Sequence, residues 1–306
     1  MDPVTKTEST VSMQGTGGES RLQVDWSALP QAPLTLEGAA VLHQIVRMRR
    51  AAWRELPADR RREIAAQAAE WLAAAETRSD GQSAVYGIVG DKGDWLWIHF
   101  RPDFAALYRA QRELAALELW QWMEPVWSFV SVVELGLYES TTKLWEELAG
   151  RGVAPHSPEW QAAVQELLDR QRQAMLPRLY PRLPESAWIC FYPMNRRRGE
   201  HKNFYRTPMP ARRVMMREHG ETGRRFADRV RQIVTGSMGL DDWEWGVTLF
   251  AEDPVDFKKL IYEMRFDEAS AEYAEFGPFY VGLRCPATRL PAELGAGDRE
   301  ETRESA

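Results

Sequence analysis

Cysteine is scarce: Cys190 and Cys285 are the only two in 306 residues. No disulfide framework and no thiolate metal site can be built from them, and the usage suits a reducing interior. Histidine is almost as thin. His43, His99, His156 and His201 do not fall together at metal-ligand spacing, which argues against a zinc centre. No glycine-rich phosphate loop and no Gly-x-Ser-x-Gly elbow occurs, so nucleotide-driven and serine-hydrolase chemistry lack their usual signatures. Positive charge is in deficit as well. With 39 Lys and Arg against 45 Asp and Glu the net charge is -6, which excludes a general nucleic-acid binder. No apolar run is long enough for a membrane span. The richest, Leu119 to Tyr138, is broken by Gln121, Glu124, Pro125 and Glu134 and reads as a helix end, a turn and a strand. The first residues carry acids and no apolar stretch, which predicts a cytoplasmic protein without a secretory signal.

What is present is an apolar fraction of 44%, enough for a sizeable core, with 13 Trp and 11 Met. Those side chains suit the flat, polarizable surroundings of a bound macrocycle, but they fill ordinary core space equally well. The chain is longer than the usual single domain. Residues 1–23 read as a polar, disordered leader, and residues 285–306, with Gly-Ala-Gly and a final Glu/Arg run, read as a tail.

Between these ends the pattern repeats. The first copy, residues 24–138, reads strand 34–49, helix 58–77, strands 82–90 and 94–101, helix 102–118, strand 126–138. The second, residues 186–284, reads strand 186–196, helix 208–226, strands 228–238 and 243–252, helix 253–267, strand 272–284. Turn clusters at Gly90-Asp91-Lys92-Gly93 and Gly239-Leu240-Asp241-Asp242 make a hairpin in each copy. Asp94-Trp95-Leu96-Trp97 answers Asp242-Trp243-Glu244-Trp245, and Pro102 and Pro254 suit early helical positions. Two βαββαβ units in tandem predict an α+β protein of ferredoxin-like repeats. Their sheets pack into a dimeric α+β barrel, antiparallel with helices outside, and a ligand would sit between sheet and helix. Residues 139–185 form a linker with a helix at 158–174. The proline-rich run Leu176 to Pro184 after it is expected not to be regular helix.

On the residues alone, the helix opening at Thr207-Pro208 is expected to have Thr207 as N-cap. His219 lies on its apolar stripe of Met209, Met216 and Phe226, near Gly220 and Gly223. An imidazole beside small residues suits iron in a flat ring; a hydrogen-bonded core histidine has the same spacing. Arg178, Arg196 and Arg265 lie near element ends, where converging guanidinium groups would hold a ligand with several carboxylates; separately they are solvated surface charges. Tyr192 sits in the apolar strand Trp188 to Met194, where a buried tyrosine bonded to a carbonyl is the plainer reading.

From Cys190-Phe191-Tyr192-Pro193-Met194-Asn195-Arg196-Arg197-Arg198 onward the sequence resembles the coproheme decarboxylases of the chlorite dismutase superfamily. The likeness continues through Met216-Arg217-Glu218-His219-Gly220 and Gln232 to Ser237. It is densest at Asp241 to Phe250 and Tyr262 to Glu268, and weaker at Ala84 to Gly90 and Phe129 to Leu135. The resemblance implies His219 as the axial iron ligand and Tyr192 as a redox-active catalytic tyrosine. It implies Arg178, Tyr192, Pro193, Met194, Asn195, Arg196, Gln232 and Ser270 as porphyrin- and propionate-holding positions, with Arg265 close to a propionate. The implied substrate and redox cofactor is iron-coproporphyrin III (coproheme), oxidised by hydrogen peroxide. Two propionates become vinyl groups with release of carbon dioxide, and haem b is the product. A homopentamer and a passing contact with coproporphyrin ferrochelatase are implied too.

Gln232 stands where chlorite-degrading relatives carry a distal arginine, and Met175 where some actinobacterial decarboxylases carry a distal histidine. The chain therefore looks like the Firmicutes type. Arg196 replaces the lysine of many members, and the two are not equivalent at a bidentate site. Three rival readings are a non-catalytic haem carrier or sensor on the same barrel, a chlorite dismutase-like peroxidase, and a cofactor-free binding module in which His219 is core.

Overall fold

The computed structural model describes residues 24–296. The leader expected over 1–23, and residues 297–306 of the expected tail, lie outside the described residues.

The first half runs β1 (Thr35–Met48), α1 (Arg50–Glu55), α2 (Ala58–Thr77), β2 (Ser83–Ile88), β3 (Trp95–Arg101), α3 (Phe104–Ala116) and β4 (Met123–Gly136). The connecting stretch holds two helices, α4 (Tyr138–Gly150) and α5 (Pro158–Leu179), where the sequence pattern predicts one. The second half runs β5 (Trp188–Arg196), α6 (Met209–Arg224), β6 (Arg231–Gly236), β7 (Trp245–Ala251), α7 (Val255–Met264), α8 (Glu268–Ala271), β8 (Ala274–Phe276), β9 (Tyr280–Arg284) and α9 (Leu290–Glu293). No described helix is long and apolar enough to cross a membrane.

The strands follow the order β7-β6-β4-β1-β3-β2-β9-β5, and β5 pairs back onto β7, so the ladder closes on itself. The registers between these strands are antiparallel, with β4–β6 and β2–β9 as the seams between the two halves. The final strand predicted over 272–284 is split. Gly277-Pro278 interrupts it, because proline has no N–H to donate, and β8 and β9 each hold part of one β5 edge.

Alternation along each strand assigns the faces. Val41, Ile45, Tyr86, Ile98, Phe100, Phe129, Ile189, Phe191 and Phe250 fill the interior. Each such side chain contributes roughly 1.5–3 kcal/mol by leaving water. Two histidines are buried in the barrel wall, His43 on its inner face and His99 on its outer face beside Trp71 of α2. His43 Nε2 lies 3.0 Å from Thr248 Oγ1, and its ring stacks on Phe191 with centroids 3.8 Å apart. His99 Nδ1 lies 2.8 Å from Ser83 Oγ. Burial pushes both imidazoles down to about 3, so they stay neutral at physiological pH. The barrel interior is thus packed, and ligand space lies outside it.

Three local expectations need correction. The helix α5 continues through Pro177 to Leu179. A proline in the last turn removes one backbone bond only, and burying Leu179 with Leu36 and Leu137 outweighs it. Thr207 does not cap α6. The helix starts at Met209 after Pro208 without a side-chain cap bond, and the Thr207 hydroxyl donates to the Asn203 carbonyl at 3.1 Å. The stretch after Arg284 is no loose tail as far as it is described. Cys285, Ala287, Leu290, Leu294 and Ala296 are buried with Ile64, Leu72 and Trp97, and the Trp53 indole donates to the Leu294 carbonyl at 2.8 Å.

Candidate functional site

Outside the barrel, the outer faces of β4, β5, β6 and β7 look across at α6, with α4 and α5 at one end. The space between them is a cavity of ≈ 1470 Å³. That exceeds the few hundred to about 1,000 Å³ of ordinary small-ligand clefts and suits a large, flat ligand.

Strand alternation decides which predicted residues reach it. Tyr192, Met194 and Arg196 fall on the outer face of β5, and all three line the cavity. Pro193 and Asn195, predicted beside them, have the opposite parity and are not among its lining residues. The Pro193 carbonyl accepts from the Gly277 N–H at 2.9 Å, and Asn195 Oδ1 accepts from the Glu244 N–H at 2.8 Å. Arg178, His219, Gln232 and Ser270 line the cavity, as does Met175. Arg265 stands one layer behind, its guanidinium 3.7 Å from the centroid of Phe276, which is itself a lining residue.

His219 is held from behind. Its Nδ1 lies 2.9 Å from Asp267 Oδ2, and Ser270 Oγ is 3.4 Å from the same nitrogen. Asp267 also caps α8, Oδ1 accepting from the Ser270 N–H at 2.8 Å. Burial would raise the Asp267 carboxyl, but the bonds from His219 and Ser270 outweigh it and hold the group below the ordinary carboxylate range. An ionised carboxylate only accepts, so the imidazole donates from Nδ1 and Nε2 is the ring nitrogen left for another partner. Histidine backed by a carboxylate is the usual arrangement for a metal ligand.

Gly223, one helical turn beyond His219, adjoins Gln232. A Cβ there would lie 3.1 Å from Gln232 Nε2 and 3.3 Å from Met264 Cε, so the missing side chain keeps the space between α6 and the sheet open.

Arg196 is a buried cation: it is 7% exposed, donates to the Ala269 carbonyl at 2.7 Å and lies 4.9 Å over the Phe204 ring. Burial pulls its pKa below the ordinary arginine value, yet no carboxylate forms an ion pair with it among the described residues. A buried guanidinium with no ion-paired acid, only the charge of Asp267 within reach, is a ready carboxylate site. Arg212 repeats the pattern. It is 3% exposed, lines the cavity, and spends its guanidinium on the carbonyls of Thr207 and Gln31. Arg178 stands exposed at the rim.

Tyr192 is 4% exposed and stacks on Phe279 with centroids 4.5 Å apart. Burial first, then Cys190, pushes its phenol above the ordinary range against the opposing charges of Arg265 and Arg196. Its hydroxyl makes no hydrogen bond among the described residues, which removes the plain reading of a tyrosine tied to a backbone carbonyl.

Sequence reasoning missed Arg212, Asp267 as the partner of His219, and Glu134. Asp267-x-x-Ser270 is a capping pattern visible in the sequence. Nothing local marks Arg212, which is tied to the distant Gln31 carbonyl, or Glu134, whose place depends on pairings between distant strands.

The chlorite dismutase family profile matches residues 49–285. Coproheme decarboxylase from Thermus thermophilus is 40% identical over 271 residues, covering 87% of this chain and 98% of its own. Coproheme decarboxylase from Staphylococcus saprophyticus is 40% identical over 257 residues, covering 83% and 94%. Among solved structures, a haem-binding protein from Thermus thermophilus superposes with a TM-score of 0.72 at 39% identity, covering 87% of this chain and 99% of that one. A chlorite dismutase variant from Candidatus Nitrospira defluvii reaches 0.62 at 16% identity, covering 85% and 96%, and shares the fold. With its profile match over most of its length and relatives at 40% identity, this chain belongs to the chlorite dismutase family.

Proposed function

We propose that the chain is a coproheme decarboxylase, converting two propionates of iron-coproporphyrin III to vinyl groups with hydrogen peroxide and giving haem b. The observation that carries this reading is the unbonded, buried phenol of Tyr192 in the same cavity as the Asp267-backed imidazole of His219. A carrier needs the histidine and the arginines but has no use for that phenol. The names of the relatives in Thermus and Staphylococcus agree with it.

The residues present fit the tetrapyrrole. His219 would hold its iron through Nε2, Gly223 leaves room for the ring, and Arg196, Arg212 and Arg178 offer charge to its carboxylates. When bound, the iron porphyrin supplies the site at which peroxide is reduced. The protein supplies a hydrogen-atom relay. Burial keeps Tyr192 protonated, so an electron leaves it only together with the proton, and a substrate carboxylate held by Arg196 is the nearest class of acceptor. The phenoxyl so formed takes a hydrogen atom from the propionate β-carbon and is restored to phenol. Loss of one further electron then breaks the bond to the carboxylate carbon. For each arm, one propionate, one hydrogen peroxide and one proton give one vinyl group, one carbon dioxide and two waters.

Gln232 favours this reading over chlorite chemistry, because a neutral amide cannot retain an oxychlorine anion by charge. A cytoplasmic setting agrees with the two unbridged cysteines. A homopentamer and a transient ferrochelatase contact belong to the same proposal; light scattering on the purified protein reports the first.

The test is to load the protein with iron-coproporphyrin III, titrate peroxide and follow product mass. Stepwise loss of two carboxyl groups is expected. Tyr192→Phe should bind the porphyrin with an unchanged absorption spectrum and decarboxylate at least about 10³-fold more slowly. Full activity in that variant would remove Tyr192 from the mechanism, and an unchanged spectrum on adding porphyrin to the wild type would favour the cofactor-free module.

A further inference from the structure

One charged group in the cavity wall has no role in this scheme. Glu134 lies on β4 with its side chain on the outer, cavity-facing side. The strand registers locate it. Tyr192 pairs with Val247 and Val247 with Val234, while Val133 pairs with Thr235, which carries Glu134 alongside Val234. Tyr192 and Glu134 therefore stand in one cross-strand row, three strand spacings or roughly 14 Å apart. They mark opposite ends of the same floor.

The surroundings of Glu134 are unusual for a carboxylate. Its register partner on β1 is another acid, Glu37. Its carboxyl leans over Gly236, where a side chain would displace it. The charged and titratable groups facing this end are Tyr138 and Glu139 on α4, Arg178 on α5, Arg212, Arg213 and Arg217 on α6, and Arg231 on β6. None of them bonds Glu134 among the described residues. Arg213 is drawn to Glu139 at 3.9 Å, Arg217 to Glu221 at 3.9 Å, and Arg172 donates to the backbone carbonyl of Glu37 at 3.1 Å. Burial first, and the charge of Glu37 second, raise the Glu134 carboxyl to about 7.

Resting on the reading above, we propose that Glu134 contacts one carboxylate arm of the tetrapyrrole in its protonated form, so that loading the ligand takes up a proton from solution. A third carboxylate brought to this acidic pair, which no arginine bonds among the described residues, is repelled while Glu134 is ionised. Protonated, the same group donates a short charge-assisted O–H···O bond. The ligand's negative charge raises the affinity of Glu134 for its proton, so binding and protonation reinforce each other. The sign follows: affinity is full below neutrality and declines as pH rises through about 7.

Calorimetric titration of the apo-protein with metal-free coproporphyrin III, in buffers of different ionisation enthalpy, counts the protons directly. Without iron, ligation by His219 does not enter the count. At pH 7.5 the wild type should take up between about half and one proton more than Glu134→Gln, and its affinity should fall about tenfold from pH 6 to pH 8. Glu134→Gln, which fixes the neutral form, should bind at pH 8 as tightly as the wild type does at pH 6. Glu37→Gln removes the repelling charge and should move the decline to lower pH. Equal proton counts and equal pH profiles in wild type and Glu134→Gln would overturn the proposal while leaving the porphyrin reading intact. Failure of the wild type to bind either the metal-free or the iron porphyrin would overturn both.

Discussion

At the scale of single residues, the site works by pairing groups that lack partners with groups that fix their orientation. Asp267 illustrates the second kind. Its carboxylate orders the His219 ring, so Asp267→Asn should weaken retention of iron porphyrin by about 10–100-fold, measured by transfer to apomyoglobin. The same substitution should alter acid stability. The carboxyl of Asp267 lies below its unfolded value, so its contribution is present above that value and lost as pH falls through the folded one. Acid unfolding of the apo-protein should therefore show a shallower limb in the variant. Arg196 belongs to the first kind. Arg196→Met should leave the apo-protein folded, because it removes a buried charge that no acid ion-pairs, and should lose affinity for the tetracarboxylate porphyrin. A variant that unfolds instead would show that the bond to the Ala269 carbonyl matters more than ligand binding.

At the scale of elements, helix α6 carries the cavity-lining His219 and also the open space at Gly223. Gly223→Ala gains helix propensity of up to about 1 kcal/mol but sets a methyl group 3.1 Å from Gln232 Nε2. The expected outcome is unchanged or higher thermal stability of the apo-protein with weaker porphyrin binding, read by melting curves and absorbance titration. Short α9 has the opposite character, since it touches no ligand and closes a core. Leu290 is fully buried, and Leu290→Ala should cost about 2–5 kcal/mol in denaturant unfolding. The elements also show where sequence reasoning reaches its limit. Tyr192 to Arg196 were named through the resemblance as one run; strand parity, which the resemblance did not resolve, puts Tyr192, Met194 and Arg196 on the cavity face and turns Pro193 and Asn195 away from it. The helical run through Pro177 was not readable, because it depends on Leu179 meeting Leu36 and Leu137, which are remote in sequence. The order of α4 and of residues 285–296 depends likewise on partners far along the chain.

At the scale of the whole molecule, the duplication visible in the paired hairpins and tryptophan motifs was enough to anticipate a barrel of two ferredoxin-like halves. The location of the acidic end of the cavity was not, because Glu134 reaches the cavity wall only through the seam between β4 and β6. The two seams have a mechanical consequence. Neither half can close a cylinder by itself: the first would end in raw edges at β2 and β4, the second at β9 and β6. A protease cut within the exposed turn from Arg151 to Ser157, between α4 and α5, would sever the polypeptide without touching either seam. The nicked protein should migrate as one particle in gel filtration and still accept porphyrin, whereas either fragment expressed separately should aggregate through its open edges until its complement is supplied.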